Sequence, residues 1–378
     1  WLPFYCLWSQ LLLEAWLAMA PKSEEDPWLK IYSFPDFTHM RDMPYPERVR
    51  HSCTAIQDVV FKMEAPAWAS RMNTACFAAG LDFQDICALG ETPLDVASPD
   101  PAAVAQEAAL ICLAGALDFG SGWRRELQAL HGKGAWQTVR AGVENIVEIS
   151  PDVRADWLFS LRAVDVAKHF DLRSDDLAPF AQAIYMVLRE LGETMLEKDY
   201  PNLQEFIMAT VQGLYKTDNA ASALVQVLAE TFPNTFQDTA ALGGLPVYFY
   251  KKAQSVVSEL YERFHRHDDR FDFADIKLLT ANVDPLVISV LRREHVVKTT
   301  LELATRLDNH EPLPRGTAAE VALRAAAIAA LEDIASIAKL KGYDVSPLML
   351  GNYIWAFLGQ SSKPLCFARH LTKDTTYY

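Results

Sequence analysis

Basic runs are what this chain most lacks. Across 378 residues no Lys/Arg cluster exceeds a pair, and 35 basic side chains stand against 49 acidic ones. The net charge is −14 and the pI about 5.1. Binding to duplex DNA or bulk RNA needs a basic stripe along the phosphates, so that class is disfavoured. Cysteine is scarce as well. Cys6, Cys53, Cys76, Cys87, Cys112 and Cys366 have no C-x-x-C spacing and read as reduced core residues, not as a disulfide frame or zinc site. There is no Walker loop, no G-x-G-x-x-G after a strand, no G-x-S-x-G and no H-E-x-x-H. Alternating strand patterns are rare, which leaves at most a short hairpin around 236–249. No internal repeat is found. Long apolar runs are missing except in the first twenty residues, where Gln10 and Glu14 weaken a membrane span. Ala18-Met19-Ala20 resembles a cleavage site without a basic region before it. A docked amphipathic helix is expected there, with a targeting remnant as the alternative. No membrane partner is expected elsewhere. The expected location is cytoplasmic, and loss of an organelle-targeting extension is compatible with it.

What is present is helix. The composition, 51% hydrophobic and 22% charged, supports a large core. Residues 22–48, rich in Pro, Asp and aromatics, read as an irregular arm. Helices are expected over 48–63, 66–80, 101–117, 151–161, 163–170, 174–198, 202–214, 220–232, 295–307, 318–340 and 346–358. Another opens after Gly134, with Trp136 in its first turn. Ser174, Thr317 and Ser346 are placed to cap their helices. The Ala-rich helices 101–117 and 318–340 should be buried on most sides. The chain divides into an N-terminal arm with helices (1–100) and a helical body (101–378), packed as one unit.

Residues 243–292 hold the chemistry. After the Gly243-Gly244 turn an amphipathic helix is expected, with Val247, Tyr250, Val257, Leu260, Tyr261 and Phe264 on one broad face and Lys251 one turn in. Asp284 precedes Pro285 among apolar residues and reads as a helix N-cap, where the helix dipole favours its ionised form. Lys251 and Asp284 are expected to meet in space. A carboxylate beside a sugar C1′ can stabilise the oxocarbenium ion of glycosidic cleavage. On these residues alone, a solvated lysine and a plain cap is the stronger reading. His265, Arg266, His267, Asp268 and Asp269 read as a solvated helix end and not as a metal site, since no third distant ligand is evident. Leu117 to Trp123, L-D-F-G-S-G-W, offers aromatic faces at Phe119 and Trp123 and glycines that admit an anion to the backbone. Glu320 and Arg324 stand one turn apart on the Ala-rich helix, as a structural clamp or a substrate contact.

An ordered series of segments then resembles one family, the queuosine salvage proteins. F-Y-K-K-A-Q (249–254) is similar to their F-Y-K-R-A-Q, and L-D-F-G-S-G-W to L-N-F-S-F-W, with Asp118 in the Asn place. G-A-W-Q-T-V (134–139) resembles G-Y-W-S-L, and F-P-N-T-F-Q-D (232–238) resembles F-P-S-Y-R-D. L-T-A-N-V-D (279–284) resembles I-T-M-F-A-D, which puts Asp284 on the family's catalytic Asp. E-V-A-L-R (320–324) resembles E-V-E-I-R, N-Y-I-W (352–355) resembles Y-Y-L-W, and both chains end in Tyr-Tyr. There are departures. Asn282 stands for a Phe, and Gly351 and Ala356 stand where the family has acids, so the base pocket is altered. The resemblance implies a mainly α, helical DNA-glycosylase-like architecture. It implies a hydrolase that cleaves the N-glycosidic bond of queuosine-5′-monophosphate, or a related modified purine nucleotide, to release queuine for tRNA modification salvage.

In that reading Asp284 and Lys251 are catalytic, Lys251 holding the phosphate or orienting Asp284. Phe119, Trp123, Trp136 and Trp355 pack the base, and Asp118 or Asn282 bonds its edge. Tyr250, Glu320, Arg324 and Asn352 complete the substrate-binding set. No metal or organic cofactor is needed, and the partner is a small nucleotide. A catalytically silent relative that binds a nucleotide or a protein through the same cleft is the alternative. A DNA glycosylase is disfavoured by the acidic pI.

Overall fold

The computed structural model describes residues 40, 42–60, 65–91, 100–358 and 368–378. The expectations for the apolar N-terminal segment and for most of the arm lie outside these residues. In chain order the elements begin with α1 (Tyr45–Val60), β1 (Ala67–Ala69), α2 (Arg71–Ala79) and α3 (Phe83–Glu91). Next are α4 (Pro101–Ala116), a 3₁₀ turn (Ser121–Trp123), α5 (Arg124–His131), α6 (Ala135–Ile149), α7 (Ala155–Ser160) and α8 (Ala163–His169). They continue with α9 (Ala178–Glu197), α10 (Leu203–Leu214), α11 (Ala220–Thr231) and α12 (Pro233–Phe236). The hairpin β2 (Thr239–Leu242) and β3 (Leu245–Tyr248) leads into α13 (Lys251–Phe264). After it come α14 (Pro285–Arg293), β4 (Val297–Thr299), α15 (Leu301–Asp308), α16 (Ala318–Leu340) and α17 (Pro347–Tyr353), which runs into a π-helical turn at Ile354–Leu358. The protein is mainly helical, with two small two-stranded antiparallel sheets among the described residues. No single described helix is long and apolar enough to cross a membrane.

Three expectations change. Residues 67–69 do not start a helix: Ala67 pairs with Thr299 and Ala69 with Val297, so the stretch is a strand and α2 begins at Arg71. The same pairing makes 297–299 a strand and delays α15 to Leu301. Val247 belongs to β3, opposite Ala240, and α13 begins at Lys251. Lys251 is therefore the first residue of that helix and not one turn in. The residue before it, Tyr250, has φ 48°, a left-handed conformation unusual for a side chain with a Cβ. Tyr250 is held there by stacking on Tyr45 (ring centroids 4.6 Å apart) and Tyr248 (5.8 Å).

α16 runs through the centre. Its Ala-rich sequence has small side chains on every face, so neighbours pack against it all round, and sixteen of its residues are buried. It touches α1, α2, β1, α14 and α17. α4 and α13 cross closely at Gly115, where a Cβ would lie 2.2 Å from Val256 Cγ2. That crossing carries the turn after α4 to the start of α13. Residues 368–378 lie along the 120–124 turn: Gly120 N–H donates to the Tyr378 carbonyl (3.3 Å), and a side chain at Gly122 would strike the Thr372 carbonyl.

Candidate active site

A cavity of about 670 Å³ opens where the α4 turn, α6, α13, the 282–286 segment, α17 and the 368–378 segment meet. Its wall includes Asp118, Phe119, Trp136, Lys251, Asn282, Asp284, Asn352 and Trp355, eight of the twelve residues expected from sequence. Lys251 and Asp284 thus face one space across 33 positions of chain.

They do not bond each other. Lys251 Nζ lies 2.5 Å from Asp118 Oδ2. The next lysine turns the other way: Lys252 Nζ donates to the Ala116 carbonyl at the C-terminal end of α4, over the rings of Phe119 and Phe236. Burial brings the Lys252 ammonium down to about 7. Asp284 caps α14 as expected, its Oδ1 accepting from Leu286 N (2.8 Å) and Val287 N (2.9 Å). Its Oδ2 accepts from Trp355 Nε1 (3.1 Å), a donor supplied 71 residues later. The cap fixes the carboxylate and aligns it with the positive end of α14. One oxygen remains on the cavity side with a single neutral donor.

Four expected contacts lie elsewhere. Tyr250 is buried in its tyrosine stack and is not part of the wall. Trp123 is buried against Phe180, with Lys373 Nζ 4.4 Å above its ring. Glu320 and Arg324 sit behind the wall. Arg324 makes a two-pronged ion pair with Asp238 and donates to Glu320 Oε1 (3.2 Å). Tyr378 OH donates to the same Glu320 oxygen (2.8 Å). Burial disfavours the Arg324 charge, but Asp238 and Glu320 outweigh it and hold the guanidinium charged. Of the two roles left open, the geometry fits the clamp: it anchors Tyr378, a residue of the cavity wall. Each of these four residues lies beside a wall residue in sequence or in space, which is why the motifs could not separate wall from support.

Several wall residues are not among the site residues expected from sequence, although Ser121, Gln137 and Tyr378 lie within quoted motifs. Ser121, Arg124, Gln128, Gln137, Ser255, Glu259, Arg369 and Tyr378 all line the cavity. One spacing could have found two of them: Lys251, Ser255 and Glu259 are i, i+4 and i+8 on α13 and share a face. Burial, aided by Glu262, raises the Glu259 carboxyl to about 7. Burial, with Arg369 and Arg125 alongside, lowers the Arg124 guanidinium to about 10. Arg369 is also lowered by burial. Asn282 Oδ1, Ser121 Oγ and Arg124 Nη1 are buried without a hydrogen-bond partner among the described residues. At Gly351 a Cβ would come within 3.3 Å of Ala281 Cβ, so α17 lies against the 281–282 backbone in the wall itself.

His265 stacks on Tyr261 with its Nδ1 2.7 Å from the Tyr261 carbonyl, beside a second cleft of about 560 Å³ that shares Asn352 and Ala356 with the first. Among the described residues no group of three His, Cys, Asp or Glu is arranged to hold a metal ion.

Residues 126–378 match the family model described as queuosine salvage protein. Three proteins named queuosine 5′-phosphate N-glycosylase/hydrolase are similar. That of Sphaerobacter thermophilus is 28% identical over 233 residues, 62% of this chain and 69% of its own length. That of Dictyostelium discoideum is 28% identical over 193 residues, 50% of this chain and 56% of its own length. That of Bos taurus is 26% identical over 234 residues, 59% of this chain and 65% of its own length. The match takes in α6, the hairpin, α13, the Asp284 cap, α16, α17 and the final tyrosines, and on that extent the chain belongs to the queuosine salvage protein family.

Proposed function

We propose that this chain is an enzyme that hydrolyses the N-glycosidic bond of queuosine-5′-monophosphate, or a closely related modified purine nucleotide, and frees the base for salvage into tRNA. The observation that carries the reading is the fixed carboxylate of Asp284, tied to two amides of α14 and to Trp355 in the wall of a nucleotide-sized cavity.

The chemistry follows from the leaving group. A 7-deazapurine has no N7 to protonate and leaves poorly, so the barrier must fall mainly through stabilisation of positive charge at C1′. Asp284 supplies a negative charge already oriented by the helix cap, with no reorganisation as the bond breaks. Trp136, Phe119 and Trp355 close the base in, and a water entering from the open side of the cavity adds to C1′ as the base leaves, giving up its proton to the Asp284 carboxylate. Asn282 Oδ1, buried and unpartnered, is an acceptor waiting for an N–H on the base edge. Lys251 pairs with Asp118 and so neutralises a second carboxylate in the cavity wall. Glu259, which keeps its proton up to about pH 7, offers the cavity a donor for the departing base.

The test is Asp284→Asn. Asn is as good an N-cap as Asp, so the fold should hold and the melting temperature should change little. Release of queuine from queuosine-5′-monophosphate, followed by mass spectrometry, should fall by about 10²–10³, the loss typical of removing one preorganised electrostatic stabiliser. Unchanged release by the variant, or no release by wild type, would remove the proposal.

A further inference from the structure

We propose that Ser121, Arg124 and Arg369 form the subsite that takes the 5′-phosphate of the substrate, where the family resemblance has Lys251 either holding that phosphate or orienting Asp284. The proposal rests on the nucleotide reading above and adds to it where the dianion sits.

Lys251 is already matched: its ammonium lies 2.5 Å from Asp118 Oδ2, so its charge is paired inside the wall. The two arginines are not matched. Neither Arg124 nor Arg369 has an ion-pair or hydrogen-bond partner for its guanidinium among the described residues, in a chain that carries fourteen more acidic than basic side chains. Arg124 Nη1 is buried without a partner, and so is Ser121 Oγ three residues before it. All three residues belong to the wall of the same cavity as Asp284. The guanidinium groups are close enough that Arg369 depresses the ionisation of Arg124, and both feel the charge of Asp284. Asp284 bonds neither guanidinium: its hydrogen bonds among the described residues are to two α14 amides and Trp355. Two half-buried like charges facing a cavity are unfavourable alone and become favourable when an anion sits between them. Guanidinium forks and a hydroxyl are the donors that fit a tetrahedral phosphate.

The backbone brings these donors together by design of the fold. Ser121 and Arg124 come from the 3₁₀ turn and the first residue of α5; Arg369 comes from a segment 245 residues later. Gly122 permits the encounter, since a Cβ there would lie 2.2 Å from the Thr372 carbonyl. Lys373 Nζ, 2.5 Å from Glu126 Oε1, staples the same two segments on the outside.

Two measurements test the assignment on the full chain, one without turnover. In the first, inorganic phosphate is titrated against wild type, Arg369→Gln and Arg124→Gln while thermal unfolding is followed. Phosphate should raise the melting temperature of wild type and do so weakly or not at all in either variant. In the second, the preference for queuosine-5′-monophosphate over queuosine is measured as a ratio of kcat/KM. That ratio should fall by about 10- to 100-fold in each variant, the range expected for a lost hydrogen bond to a charged group. Ser121→Ala should lower it in the same direction by less. The assignment is overturned if phosphate stabilises the variants as it does wild type, or if both substrates lose equally so that the ratio stands. Phosphate binding that depends on Arg124 and Arg369 in a wild type that hydrolyses neither substrate would keep the subsite and sink the hydrolase instead.

Discussion

At the scale of single residues, Glu259 is the group whose cost is easiest to measure. It lines the cavity two turns along α13 from Lys251, and no hydrogen bond to its carboxyl occurs among the described residues. Burial is the main reason its ionisation is displaced to about 7. Glu262, Asp118 and Glu107 push the same way and Arg140 opposes them. The native state therefore holds this proton more tightly than the unfolded chain. The associated stability is fully present below the unfolded value near 4.5 and is lost as pH rises through about 7. Near pH 8 the buried charge should cost about 3 kcal/mol, at 1.36 kcal/mol for each unit of displacement. Glu259→Gln removes that charge and keeps the shape. Urea denaturation should find the variant more stable than wild type at pH 8 and equal to it at pH 4. Equal stabilities at both values would mean that the carboxyl is better solvated than its surroundings indicate. A group retained at such a cost in the wall of a cavity is a group with a use there.

At the scale of elements, the pattern shows what a sequence can and cannot carry. Helices were legible because their signals are local. Asp284, Thr317 and Ser346 each accept backbone N–H groups at the helix start where their side chains were expected to. Ser174 opens a 3₁₀ turn first, and α9 begins only at Ala178. The β1–β4 pair was illegible for a physical reason. Each strand has three residues, too few for alternation to register, and its partner lies about 230 positions away. The start of α13 was misplaced because the apolar run through Val247 suits either period, and the break is made by Tyr250 in a conformation that its side chain gives no warning of. The site divides along the same line. Asp118, Asp284 and Trp355 lie in ordered motifs. Arg124 and Arg369 stand in short polar stretches that resemble any surface, and only the approach of residues 368–378 to the 120–124 turn makes a pair of them.

The clamp on α16 is an element-scale device with its own prediction. Arg324 ties Glu320 on its own helix to Asp238, which receives Phe249 N–H (2.9 Å) on its carbonyl at the base of the hairpin. Its guanidinium also lies over the rings of Phe249 (3.7 Å) and Tyr378 (4.3 Å). Arg324→Met would keep most of the volume and leave Asp238 and Glu320 buried as unpaired carboxylates. The expected loss is about 3–5 kcal/mol in chemical denaturation, the usual result of removing one partner from a buried pair. Base release should fall with it, because Tyr378 loses the ring-stacked cation that fixes its side of the cavity. A loss under 1 kcal/mol would show that the network is solvated.

At the scale of the whole molecule, the cavity is a product of long-range closure. Its walls come from residue 118 to residue 378, and the helix that backs them, α16, also packs on α1, α2 and β1 from the first hundred residues. We propose on that basis that the N-terminal helices and the body unfold together. α16 is packed against elements of both parts, so separating them would expose its apolar surface. Ligand linkage distinguishes this from two independent units. The Asp284→Asn protein, loaded with queuosine-5′-monophosphate at one hundred times its dissociation constant, should gain about 2.7 kcal/mol. If the chain is one cooperative unit, that gain appears in the single transition seen both by tryptophan fluorescence and by far-ultraviolet circular dichroism. If the N-terminal helices melt separately, the dichroism trace splits and only its later part moves with ligand. The second result would confine the substrate's grip to residues 101–378 and make the first hundred a removable cover. The contacts of α16 with α1 and β1 are the reason to expect the first.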